Sequence, residues 1–212
     1  MEKDGDDGRV RRPKGRVRAG LIQAGVDLAR SGGPNAVTLR EATRRVGVSP
    51  NAAYRHFADR DALLGAVCET GMGMFVEQMD HAVAAVAVLP APQDTATARL
   101  GAVGRTYLSF ARGEQGLFDT IFTTPGFVSF QDGRPRAGTA DRTPFHVLGE
   151  VLDGLVAAGV MPVQRRPGAE FAVWSCVHGM AMLRNHGPLR SLPQENADTA
   201  VDALYAFILR GL

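Results

Sequence analysis

The chain has 212 residues, 45% hydrophobic and 22% charged, with a net charge of +2, a composition ordinary for a soluble globular protein of one large domain or a small one plus a larger one. Its longest uninterrupted apolar run, Ala82 to Leu89, is far too short to cross a bilayer, so no membrane partner is expected. The acidic start lacks the apolar stretch of a secretory signal, and Cys68 and Cys176 have no metal-type spacing; a cytoplasmic protein with two reduced, buried thiols is expected.

The charge is unevenly placed. Residues 1–65 hold 13 Lys and Arg against 8 Asp and Glu, whereas residues 66–212 hold 11 against 14. Arg9, Arg11, Arg12, Lys14, Arg16 and Arg18 form a run without an acid, which reads either as a solvated tail or as a basic arm that meets nucleic acid. Residues 1–14 are expected to be a disordered basic arm. Lys3 and Lys14 are the only lysines, so arginine, whose planar fork suits phosphates and guanine edges, carries almost all the positive charge.

From there the chain reads as helices throughout, an all-α fold. Val17, Leu21, Ala24, Gly25 and Leu28 share one helical face, and Ser31-Gly32-Gly33-Pro34 stops that helix. Thr38 and Glu41 form a capping box for a short helix over 39–46, and Gly47 suits the left-handed residue that ends it. Ser49 and Pro50 fit the N-cap and first position of a new helix ending near Phe57, and Asp59 caps another that runs from Arg60 into Gly71-Met72-Gly73-Met74. After the break Leu89-Pro90-Ala91-Pro92, helices are expected near 97–112, 143–158, 168–184 and 197–210. Between Gly113 and Asp141 a short helix near 117–122 and then loop are expected, with no strand-like alternation.

Helix, tight glycine turn, second helix is the helix-turn-helix layout, whose second helix enters the DNA major groove by its N-terminal end. The segment Val48-Ser49-Pro50-Asn51-Ala52-Ala53-Tyr54-Arg55-His56-Phe57 fits it: small side chains at one end permit close approach, Tyr54 and His56 can reach phosphates, and Phe57 turns inward. Thr38 to Phe57, followed by Ala58-Asp59-Arg60-Asp61-Ala62-Leu63-Leu64, resembles the DNA-binding domain of TetR-family transcriptional regulators, over roughly residues 15–75 with the motif at 38–57. The resemblance implies phosphate contact by Thr38, Tyr54, His56 and Arg60, and groove-facing positions for Ser49, Asn51, Ala52 and Arg55. Arg40 is either a base or minor-groove reader or a solvated helix face. Thr43 stands where the family usually has Ala, Ala42 where a larger aliphatic is common, and Ala53 where a bulkier apolar residue is usual.

Residues 76–212 would then form a larger helical ligand-binding and dimerisation domain. The helix over 168–184 is apolar around most of its circumference and should be buried. Its Trp174-Ser175-Cys176-Val177-His178-Gly179 resembles the Trp-His-Gly signature of one TetR subgroup. The family resemblance implies a homodimer through the last two helices, a double-stranded DNA operator, release by an unknown small-molecule effector, and no cofactor. Met72, Phe75, Met79, Tyr107, Phe118, Phe122, Phe127, Trp174 and His178 are the candidate pocket residues, although Met and Phe at helical spacing also read as plain core. With few fixed charges there, the effector is expected to be apolar or aromatic. The alternative is a ligand-independent constitutive or architectural DNA binder. An enzyme is not expected: Cys176-x-His178 points its side chains apart on a helix, and no nucleophile, paired-carboxylate or metal pattern stands out.

Overall fold

The computed structural model describes residues 14–131, 134–137 and 142–212, so most of the expected arm lies outside the described residues. The helix α1 (Lys14–Ala36) is interrupted where the sequence puts its stop, at Gly32 and Gly33, whose backbone is non-helical. Next comes α2 (Leu39–Val46), with Thr38 Oγ1 accepting from the Glu41 N–H at 3.2 Å. The reciprocal half of the expected capping box is not made. Glu41 instead accepts from Arg44 at 2.7 and 2.9 Å, because an ion pair one turn along outcompetes a neutral N–H, and its carboxyl is held down to about 2 by that bond. Gly47 ends α2 with φ 72°, its N–H donating to the Thr43 carbonyl at 2.9 Å. A side chain there would meet the left-handed penalty that glycine escapes.

The third helix, α3 (Pro50–Tyr54), is short and relaxes into a turn through His56. Ser49 sits at its N-cap without a side-chain cap bond; Pro50 removes one donor, and the Ser49 carbonyl accepts from the Ala52 N–H at 2.9 Å. Asp59 does cap α4 (Arg60–Ala84), accepting from the Ala62 N–H at 2.8 Å. This helix passes unbroken through Gly71-Met72-Gly73-Met74, so the boundary expected after residue 75 falls inside a continuous helix. Phe75 is fully buried there and stacks on Phe110 with centroids 4.3 Å apart. Burying one such aromatic side chain contributes about 1.5–3 kcal/mol, so core is shared across the expected division.

The helix α5 (Pro92–Gly113) starts five residues before the expected position: Pro92, which reads as part of a break, is its first residue. A short α6 (Gln115–Thr123) follows. In place of the expected loop, β1 (Val128–Gln131) pairs antiparallel with β2 (Arg134–Ala137), Val128 opposite Ala137. Four residues per strand are too few for alternation to register. Thr143 caps α7 (Pro144–Ala157) in a full box with His146, whose Nδ1 accepts from the Thr143 N–H at 3.1 Å. The last helices, α8 (Ala169–Asn185) and α9 (Gln194–Gly211), lie within a few residues of expectation.

Helix α6 lies between the two halves. Its Leu117, Phe118 and Ile121 are fully buried. At its first turn the backbone touches α1: a Cβ on Gly116 would stand 2.2 Å from the Ala29 carbonyl oxygen. Beside it, Arg30 donates to Glu114 through Nε at 2.7 Å and Nη2 at 3.1 Å. The sequence expects α8 to be buried, partly on its own domain and partly on a partner, and within one chain only part of it is covered. Val173, Val177, Ala181 and Asn185 are buried, but Phe171 is 49% and Leu183 43% exposed, and Phe207 on α9 is 61% exposed. Within one chain α8 packs on α5, α7 and α9, leaving Phe171 and Leu183 as exposed apolar positions.

Candidate functional site

The helix-turn-helix positions its side chains as the size gradient suggests. Ala53 and Phe57 are buried, and Phe57 carries the Arg18 guanidinium carbon 5.4 Å from its ring centre. Facing outward are Arg40, Ser49, Asn51 and Arg55, with Tyr54 58% exposed; Thr38, Ala52 and His56 are half-buried. Arg40, Asn51 and Arg55 make no side-chain hydrogen bond or ion pair among the described residues. Thr43 is buried at the crossing with its hydroxyl satisfied, donating to the Arg40 carbonyl at 2.8 Å.

Arg60 is engaged internally. Nε donates to the Val37 carbonyl at 2.8 Å and Nη2 to the Pro34 carbonyl at 2.5 Å, tying the start of α4 to the α1–α2 turn. Sequence reasoning missed this strut: the two carbonyls lie 23 and 26 residues upstream and carry no side-chain signal.

In the second half, the candidate pocket residues divide. Met72, Phe75 and Phe118 are core, and Phe127 is buried. Tyr107, Trp174 and His178 come together: Trp174 Nε1–H donates to the Tyr107 hydroxyl at 3.0 Å, and that hydroxyl lies 2.9 Å from His178 Nδ1. Phe122 approaches the His178 ring at 5.1 Å and Phe118 at 4.6 Å from Phe122. Burial pushes the Tyr107 hydroxyl well above the ordinary tyrosine range and lowers His178, keeping its imidazole neutral.

On the other side of Tyr107 and Trp174 an apolar cavity of about 50 Å³ opens among α5, α7, α8 and α9, lined also by Met79, Leu100, Leu148 and Ile208. It is smaller than the roughly 150 Å³ that holds a benzene, so occupancy by a ring requires its walls to move. Sequence reasoning named three of its residues, Met79, Tyr107 and Trp174, and missed the α9 wall, where Tyr205 donates its hydroxyl to the Thr97 carbonyl.

Residues 21–67 match the family described as bacterial regulatory proteins, tetR family, and residues 100–208 match the tetracyclin repressor-like C-terminal domain. The second match alone spans half of the chain. The chain belongs to the tetR family. Among curated relatives of this regulator, the HTH-type transcriptional repressor Rv3405c of Mycobacterium tuberculosis is 38% identical over 63 residues, which are 29% of this chain and 34% of the relative. The match therefore spans about a third of that relative's length. Among solved structures, a protein of unknown function from Rhodococcus sp. RHA1 superimposes with a TM-score of 0.73 at 25% identity, covering 92% of this chain and 95% of that one. RolR in complex with resorcinol shares the fold at a TM-score of 0.62 and 15% identity, over 94% of this chain and 88% of its own. Among the described residues of the regulator no helix is long and apolar enough to cross a membrane, and no group of three or more His, Cys, Asp or Glu could hold a metal ion.

Proposed function

We propose that this tetR-family regulator is a homodimeric, cytoplasmic repressor that binds a palindromic DNA operator and leaves it when a small apolar or aromatic effector binds. The observation that carries the reading is the outward face of α3 and its neighbours: Asn51 and Arg55 on or beside the recognition helix, and Arg40 on α2, all have unspent hydrogen-bonding capacity. Buried or structural polar groups are paired; a row of unpaired donors on one exposed face suits an outside partner rich in acceptors. Residues 15–75 would be the DNA-binding unit, with Thr38, Tyr54 and His56 on the backbone and Ser49, Asn51, Ala52 and Arg55 facing the groove. Arg60 would offer phosphate only the part of its guanidinium not held by Val37 and Pro34. The arm of residues 1–14 would add phosphate contacts.

Residues 76–212 would bind effector and dimerise. Phe171, Leu183 and Phe207 expose an apolar surface on α8 and α9 that a second copy would cover in a two-fold arrangement, setting the spacing of the two α3 helices. The Tyr107–Trp174–His178 cluster supports placement in the Trp-His-Gly subgroup. Coupling would run through α6, which touches that cluster through Phe118 and Phe122 and α1 through Gly116 and the preceding Glu114. No enzymatic activity and no cofactor enter this reading.

A gel-shift titration with DNA upstream of the gene, repeated over salt, tests it. A specific band that weakens with salt is expected, and no specific band at any salt refutes it. A second reading, a ligand-independent binder, is favoured by the small size of the cavity, about 50 Å³. It predicts that no small molecule changes the DNA affinity.

A further inference from the structure

Arg60 is the first residue of α4, the end at which the helix dipole disfavours a cation, so its place there calls for a compensating contact. The guanidinium finds it by reaching back along the chain. Nε donates to the Val37 carbonyl at 2.8 Å and Nη2 to the Pro34 carbonyl at 2.5 Å, while Nη1 lies 3.5 Å from the Asp61 carboxylate. Two carbonyls held at once need two N–H groups in a fixed plane, which arginine has and lysine lacks. Both carbonyls belong to the join between α1 and α2, where the backbone leaves the helix at Gly32 and at Gly33, with φ 67°. Two glycines leave such a join loose in itself. Val37 anchors it with a buried side chain, but a side chain does not fix the plane of the peptide that follows. That peptide carries the Thr38 N–H, and Thr38 starts α2, its hydroxyl accepting from the Glu41 N–H at 3.2 Å. Helix α3 then follows α2, because the Gly47 and Val48 N–H groups both donate to the Thr43 carbonyl, at 2.9 and 3.1 Å.

We propose that Arg60 is a positioning residue for DNA recognition: its two carbonyl bonds set the Val37–Thr38 peptide, and through it the aim of Thr38 and of the α2–α3 unit, before DNA arrives. The inference rests on the reading that Thr38 to Phe57 bind an operator, and it moves Arg60 from phosphate contact to preorganisation. A turn that is already set spares the ordering that binding would otherwise require, and the gain goes to DNA that Thr38 and α3 fit together. The two roles differ in what they need. A phosphate contact needs a positive charge, which lysine supplies as well as arginine. The strut needs the planar fork, and lysine breaks it.

Arg60→Lys keeps the charge, and Arg60→Met keeps the stem without it. Both are compared with the wild-type full chain, first without DNA. The Val37, Glu41 and Ala42 amides are all hydrogen-bonded around the join. Their hydrogen exchange, followed by NMR, is expected to run about tenfold faster in both variants while α9 is unchanged, a confinement that global destabilisation would not give. Binding to DNA upstream of the gene is then titrated over salt, beside a random duplex. Arg60→Lys is expected to lose about tenfold on the upstream DNA and less than about twofold on the random duplex, with an unchanged salt slope. Arg60→Met is expected to do the same. Thr38→Ala combined with Arg60→Lys is expected to bind no more weakly than Thr38→Ala alone, since a misplaced hydroxyl and a missing one fail at the same contact. A lysine variant that binds like wild type, a methionine variant whose salt slope falls by about 1, additive losses in the pair, or unchanged exchange at the three amides overturns the proposal. Should Arg60→Lys fail to fold, the salt slope and the exchange of Arg60→Met decide. Failure of the operator reading looks different: the wild type then shifts no DNA specifically, and exchange at the three amides still decides whether Arg60 sets the turn.

Discussion

The outward face of α2 and α3 and the aromatic interior between α5, α6 and α8 use polar groups in opposite ways. On the first, Arg40, Asn51 and Arg55 stand in solvent with no partner among the described residues, and the packing beneath them is done by small or apolar residues such as Ala42, Ala53 and Phe57. In the second, Tyr107, Trp174 and the buried Asn185 are bonded to protein, Asn185 Nδ2 donating to the Ala111 carbonyl at 2.7 Å. A surface that keeps many donors unspent is suited to a large polar partner. An interior that pairs its polar groups within the chain is suited to packing and to small, largely apolar partners. Between them lies α6, and whether the two regions act as one body turns on that helix.

The largest expected effect is at the joint. In Gly116→Ala the new methyl would stand 2.2 Å from the Ala29 carbonyl oxygen, which is backbone and cannot swing aside. Overpacking of this kind costs about 3 kcal/mol, or roughly 6–12 °C in Tm for a chain this size. Thermal unfolding checks it; an unchanged Tm would show that α1 and α6 are not in register, and the comparison would become one of two independent units. Next comes the recognition face. Asn51→Ala and Arg55→Ala are each expected to lose about 2 kcal/mol of operator binding and to relax sequence preference, whereas His56→Ala weakens all DNA alike. Because neither Asn51 nor Arg55 has an internal partner, Tm should stay put; a drop in Tm would mean that the face is less unspent than it looks. Thr38→Ala removes the bond to the Glu41 N–H and is expected to cost about 1 kcal/mol of stability, read by urea unfolding.

Much of the fold was legible because its helix starts are written locally. Thr38 and Asp59 each stand one residue before a helix, and Gly47 ends one, as residue type and spacing predict. What failed was also local but ambiguous. Pro92 follows Pro90 and reads as a break, although a proline serves equally as a first helical residue. The sequence reading places a boundary just after the Gly71-Met72-Gly73-Met74 stretch, yet burial of Met72, Phe75 and Met79 carries α4 unbroken past it. The site was half legible. The exposed residues of α3 could be named because their roles depend on helix position alone. Tyr107, Trp174 and His178 could be nominated one by one, but their union could not be seen, since the bonds join residues 67 and 71 positions apart. The Arg30–Glu114 pair, 84 positions apart, was invisible for the same reason.

The subtlest expected effect is pH dependence, and it tests the interior side of the comparison. Burial lowers the pKa of His178 in the folded chain below the ordinary value of about 6.5 that applies when it is unfolded. Between those two values the unfolded chain binds more protons than the folded one, so stability must rise with pH across that window and fall as acid is added. Above about 6.5 both states hold a neutral imidazole and the contribution is flat. The structural cause is the bond itself: a proton on Nδ1 would take away the acceptor that Tyr107 uses and would place a cation against Phe118, Phe122 and Trp174. Chemical denaturation from pH 7.5 down to 5 checks this, with His178→Gln as the reference that cannot titrate. The wild type is expected to lose stability below about 6.5 faster than the variant. Identical profiles would mean that burial does not hold the His178 imidazole neutral, and the contrast between a solvated face and a satisfied interior would not hold at its central residue.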